Sequence, residues 1–190
     1  ARLVDKTMQD SGEAAEIGTR IHDIIDNWAL KRPLPDSIQL YGDDVVDADI
    51  ILAPVIKTLS DFRTQRTEFV TVNPGLGYAG TVDMEAFNSN GVAGLIDFKT
   101  KKTKPGAKIR LSDAHVMQLA AYHASEYAPG LGPEEINWEG QWAANIYIST
   151  TEPGRVELKI WNSIELALAF DGFLACCGLW RYLKGYDARS

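Results

Sequence analysis

Asp83, Asp97 and Lys99 have the types and spacing for metal or phosphate chemistry. They lie in Gly80-Thr81-Val82-Asp83 and Leu95-Ile96-Asp97-Phe98-Lys99-Thr100, two apolar runs separated by a turn. Side chains along a strand alternate faces, so Asp97 and Lys99 point to one side while Ile96 and Phe98 point into a core. An isolated D-x-K is ordinarily a surface ion pair. Here the neighbours are apolar, and a third acid, Glu68, precedes Asp83 on an earlier strand candidate. Acidic oxygens converging beside an ammonium group suit a hard divalent cation such as Mg²⁺, leaving the lysine to steer an oxyanion or an attacking water. At a surface cleft the two aspartates repel each other, so removing Asp97 is expected to leave the fold intact and even raise its stability.

The elements that must hold these residues can be read from hydrophobic periodicity. Ile17, Ile21, Ile24, Ile25 and Trp28 recur at helical spacing over 11–30, with Ser11 as N-cap. A second helix is expected over 44–62, interrupted or kinked near Pro54. The period then becomes two. Strands are expected over 67–72, 78–87 and 92–100, the last two joined by an Asn88-Ser89-Asn90-Gly91 hairpin turn. Ser112 caps a helix over 113–127, strands follow over 143–149 and 155–161, and a helix over 163–183 closes the chain. The expected order is α, α, β, β, β, α, β, β, α.

With 190 residues, the chain is read as one domain, 1–190, large enough to bury a core without staples. Its net charge of −7 is unpromising for a nucleic-acid binder until the distribution is considered. Lys99, Lys101, Lys102, Lys104, Lys108 and Arg110 form a stretch without an acid, so positive charge is concentrated beside the acidic pair. Cys176 and Cys177 sit in an apolar helical stretch, where buried free thiols and a reducing compartment are expected. No C-x-x-C pair offers a zinc site, and two cysteines cannot ligate an iron–sulfur cluster. Neither a bilayer-spanning apolar run nor a signal-like N-terminus is read, so no membrane association is expected.

In order, Gly18-Thr19-Arg20-Ile21-His22, Glu68, Gly80-Thr81-Val82-Asp83, Asp97-Phe98-Lys99-Thr100 and Gln118-Leu119-Ala120-Ala121-Tyr122 resemble the motif set of the PD-(D/E)xK nuclease superfamily. The resemblance is to its RecB-like branch, which includes Cas4 proteins and the mitochondrial genome maintenance exonuclease, and it covers 18–122. It implies an α+β, restriction-endonuclease-like αβββαβ core, a central mixed sheet flanked by helices, with extra terminal helices. It further implies that Asp83, Asp97 and the backbone carbonyl of Phe98 bind Mg²⁺ or Mn²⁺, with His22 as a helix-borne ligand, and that Lys99 orients the nucleophilic water. Glu68 matches an acid near the metal or water. Gln118 and Tyr122, four apart on one helical face, match the Q-x-x-x-Y motif, expected near the nucleophile or the DNA backbone. His115 and His123 have no motif slot.

The implied function is a metal-dependent DNA exonuclease acting on single strands or DNA ends in recombination, repair or replication. The setting would be a bacterial or phage-infected cytoplasm or an organellar matrix. Lys101, Lys102, Lys104, Lys108 and Arg110 would track the DNA backbone; the alternative is a solvated loop. Tyr78, Trp138 and Trp142 are candidates for stacking bases. No Walker-type loop is present, so unwinding would fall to a helicase or recombination partner. A structure-specific or restriction-type endonuclease, a catalytically dead DNA-binding module and a subunit of a helicase–nuclease assembly are the competing readings. The intact Asp83, Asp97 and Lys99 favour an active enzyme.

Overall fold

A computed structural model describes residues 2–189, with side chains described from Ser11 onward. Helix α1 runs Arg2–Ala29, strands β1 (Ser37–Gln39) and β2 (Val45–Asp47) form a small antiparallel ribbon, and helix α2 runs Ala48–Leu59. There follow β3 (Arg63–Asn73), β4 (Tyr78–Phe87), β5 (Ala93–Lys101), α3 (Asp113–Tyr127), a 3₁₀ turn (Pro133–Glu135), β6 (Ala143–Ser149), β7 (Val156–Trp161) and α4 (Ser163–Lys184). The class is mixed α/β, with a five-stranded sheet in the order β3-β4-β5-β6-β7. The expected element order holds, with β1 and β2 added.

The chain is organised as two units, and β5, β6 and β7 each pass from one to the other. The first comprises residues 1–60, 98–109 and 146–158. In it the helical stripe of α1, Ile17, Ile21, Ile24 and Ile25, is buried, as are Ile51, Leu52 and Val55 of α2. Ser11 lies inside α1 rather than capping it. Asp47 caps α2 by accepting from the Asp49 amide, and the helix continues through Pro54. A proline there removes one ladder bond, which the apolar face of a short helix can outweigh.

The second unit comprises residues 61–97, 110–145 and 159–190. Strands β3, β4 and β5 pair antiparallel, and α3 packs on β3, β4 and α4. Val82, Leu95, Leu119, Ala124, Leu166 and Phe170 meet in its core. Asn162 and Glu165 form a capping box that starts α4, and Gly185, at φ +60, ends it in the left-handed conformation. Contrary to the sequence reading, α4 is long and apolar enough to cross a membrane by length and composition, with mean hydropathy 1.5 over its 18-residue window. Its Leu166, Ala169 and Phe170 are nonetheless buried in the unit's core. Cys176 is exposed and Cys177 half-buried, correcting the expectation of two buried thiols.

Candidate functional site

The register of β3 and β4 pairs Thr67 with Met84 and Phe69 with Val82, which sets Glu68 directly opposite Asp83. Both offer a carboxylate oxygen, and these oxygens lie within 4.8 Å of each other. Like charges opposed across a ladder are unfavourable, but the same spacing suits two ligands of one cation. Glu68 also has φ +46, the left-handed region that disfavours any residue with a Cβ. Sequence reasoning named the residue but could not foresee its backbone.

On β5, Asp97 is only 2% exposed, so the expectation of a surface-cleft carboxylate is corrected. An ionised carboxylate can be buried only where hydrogen bonds replace water. Asn145 on β6, fully buried, supplies one: its Nδ2 donates to Asp97 Oδ2 at 2.8 Å. Trp161 Nε1, at the end of β7, donates in turn to Asn145 Oδ1 at 2.8 Å. The sequence signal was there, a lone amide in the apolar run Ala143-Ala144-Asn145-Ile146-Tyr147-Ile148, all buried. A buried amide in such a run must find partners. Removing the Asp97 side chain would leave the buried Asn145 amide only the long 3.5 Å bond to the Asp97 main-chain carbonyl, so the predicted gain in stability does not follow from this geometry.

The next residue in β5, Phe98, opens the segment belonging to the first unit. The His22 ring lies edge-on to the Phe98 ring, with centroids 6.1 Å apart. One turn earlier on α1, a Cβ at Gly18 would sit 3.2 Å from Thr100 Oγ1, so the glycine lets the helix approach β5 closely. The Gly18-to-His22 motif on α1 thus lies against the Phe98-to-Thr100 part of β5. Phe98 is buried, whereas Lys99 is half-exposed.

Gln118 and Tyr122 share a face of α3, and Gln118 Nε2 donates to the Tyr122 hydroxyl at 2.8 Å. The Tyr122 ring lies against Gly80, where an added Cβ would come 2.3 Å from Cε1. Gly80 belongs to the run ending in Asp83, so two of the predicted motifs are in contact. Tyr78, Met117, Gln118, Tyr122 and Phe173 line a cavity of about 360 Å³ beside them. Tyr78 is half-buried there, donating to the Ala121 carbonyl at 2.9 Å, and burial raises its hydroxyl pKa.

Of the stacking candidates, Trp142 is buried, stacked on Phe62, and donates to the Val92 carbonyl. Trp138 packs on His123 and Phe170. Both are packing residues rather than an exposed platform. Lys102 lies over the Tyr41 ring at 3.9 Å, and Lys104, Lys108 and Arg110 are exposed, while Lys101 is half-buried. Arg155 anchors this loop by donating to the carbonyls of Lys104 and Ala107.

A second polar cluster lies further along β3 and β4. Arg66 pairs with Glu85 at 2.8 Å and with Glu126, and Tyr127 donates to Glu85 at 2.8 Å. The hydrogen bond to Glu85 foremost raises the Arg66 pKa, and burial raises that of Tyr127. His123 is buried with Nε2 on Gln141 at 3.0 Å, and desolvation lowers its pKa to about 4.

No family model matches the chain, and no curated protein matches it. Among solved structures, "Crystal structure of SSO0001" aligns with 67% of this chain and 58% of its own, at 21% identity and a TM-score of 0.34. The chain therefore spans less than two thirds of that protein, and a likeness this loose carries no argument about fold or function.

Proposed function

We propose that the chain is a metal-dependent deoxyribonuclease of the PD-(D/E)xK type, an exonuclease acting on single strands or DNA ends. The observation that carries the reading is the approach of the Glu68 and Asp83 carboxylates across the β3–β4 ladder, with Glu68 in a costly backbone conformation. Strain of this kind collects at functional sites, where the surrounding structure enforces it. Lys99, two residues beyond the buried Asp97, adds the cation that the chemistry requires.

In this reading the Asp83 and Asp97 carboxylates, with Glu68 beside Asp83, would hold the metal, and the Phe98 carbonyl and His22 are further ligands as the resemblance implies them. Oxygens with one imidazole fit Mg²⁺ and favour Mn²⁺ somewhat more than oxygens alone. A divalent cation bound there would supply charge neutralisation of the phosphate and a more acidic water. Lys99 orients the attacking water and offsets negative charge building on the phosphorus oxygens. Gln118 and Tyr122, next to the Gly80 run, hold the DNA backbone in line. Exposed Lys102, Lys104, Lys108 and Arg110, together with Lys101, neutralise phosphates further along the strand.

The test is a time course on end-labelled single- and double-stranded linear DNA and on circular DNA, with Mg²⁺, Mn²⁺ or EDTA. Metal-dependent shortening of linear DNA, with circles left intact, is expected. Cut circles would move the reading to an endonuclease, and no cleavage with either metal would count against a nuclease.

A further inference from the structure

We propose that Asn145 is a positioning residue for the metal site: it holds the Asp97 carboxylate in the orientation that binds a divalent cation, and Trp161 fixes Asn145. This inference rests on the metal-site reading above. The three side chains sit on three successive strands of the sheet, β5, β6 and β7, and all are buried. Their hydrogen bonds run in one direction, Trp161 to Asn145 at 2.8 Å and Asn145 to Asp97 Oδ2 at 2.8 Å.

That direction is dictated by chemistry. An indole N–H can only donate, so the atom it meets on Asn145 must be the oxygen. The amide nitrogen is then the atom that faces Asp97. A flipped amide would set an oxygen against a carboxylate and leave the indole proton facing N–H donors. The tryptophan thus removes the two-fold ambiguity of the asparagine, and the asparagine in turn fixes the rotation of the carboxylate. Outer partners of this kind orient ligands and typically change metal affinity by about 10- to 100-fold when lost.

The experiment is a calorimetric titration of the full chain with Mn²⁺, alongside DNA cleavage at low and saturating Mn²⁺. Asn145→Ala that still unfolds cooperatively is expected to bind Mn²⁺ about 10- to 100-fold more weakly. Its cleavage should be poor at low Mn²⁺ and largely restored at saturation. A role in packing alone would lower the unfolding midpoint without moving Mn²⁺ affinity. Trp161→Phe keeps the ring and removes only the donor, so it serves if Asn145→Ala does not fold; a several-fold weaker affinity is expected. Parental Mn²⁺ affinity in a folded Asn145→Ala or Trp161→Phe protein would overturn the inference while leaving the metal site standing. A parent chain that binds no Mn²⁺ would overturn the metal site and this inference together.

Discussion

Glu68 stands directly across the β3–β4 ladder from Asp83, and it does so in a left-handed backbone conformation, φ +46. Glycine adopts that conformation without steric cost, whereas a residue with a Cβ loses about 1–2 kcal/mol. Glu68→Gly is therefore expected to raise stability, by up to about 1 kcal/mol once the greater freedom of the unfolded glycine is counted, and to weaken Mn²⁺ binding. Urea unfolding and calorimetry read the two effects. A lower midpoint with unchanged Mn²⁺ affinity would make Glu68 an ordinary surface residue.

The Tyr122 ring fills the space that a side chain at residue 80 would need. Gly80→Ala forces ring or strand to move and should cost about 1–3 kcal/mol, the range for overpacking. Combined with Tyr122→Ala, most of that cost should disappear, because the clash has no partner. An additive double-mutant cycle would show that the two residues are uncoupled.

His123 provides a pH signature independent of catalysis. Its folded pKa is about 4 against an ordinary 6.5, so between those values the unfolded chain binds more protons. The stability that depends on a neutral His123 is fully present above pH 6.5 and is lost as pH falls toward 4. The loss should amount to about 3 kcal/mol at most. His123→Gln should flatten urea midpoints over this window; an unchanged pH slope would assign the dependence to other groups.

Much of this architecture was legible because each signal was local. Alternation bounded β4, the Asn88-to-Gly91 turn separated it from β5, and α3 begins after Ser112 as read, although the Ser112 side chain makes no capping bond. The β1 and β2 strands escaped because three residues are too few to show a period. Asp83 and Glu68 are legible from residue type and strand pattern, and Gln118 and Tyr122 from the family resemblance, yet the burial of Asp97 and its bond to Asn145 depend on strands 48 residues apart. Cysteine exposure likewise depends on which face of α4 is covered, and the apolar sequence around Cys176 and Cys177 does not reveal it.

The cationic loop gives a prediction that leaves the acids untouched. Replacing Lys101, Lys102, Lys104 and Lys108 by serine should weaken DNA binding regardless of sequence. The plot of log affinity against log salt should flatten by up to about 0.7 per lost contact on single strands. Fluorescence anisotropy across a salt series measures both, and an unchanged slope would return these lysines to a solvated loop.

If Asp83 holds the metal for DNA cleavage, Mn²⁺ binding and cleavage fail together when its carboxylate is removed. The most direct measurement follows Mn²⁺ binding and DNA cleavage in the parent chain and in Asp83→Ala, each shown to unfold cooperatively. Metal-dependent cleavage by the parent is expected, with loss of both the binding heat and cleavage in Asp83→Ala. Parental cleavage by a folded Asp83→Ala protein would remove Asp83 from the metal site and overturn this reading.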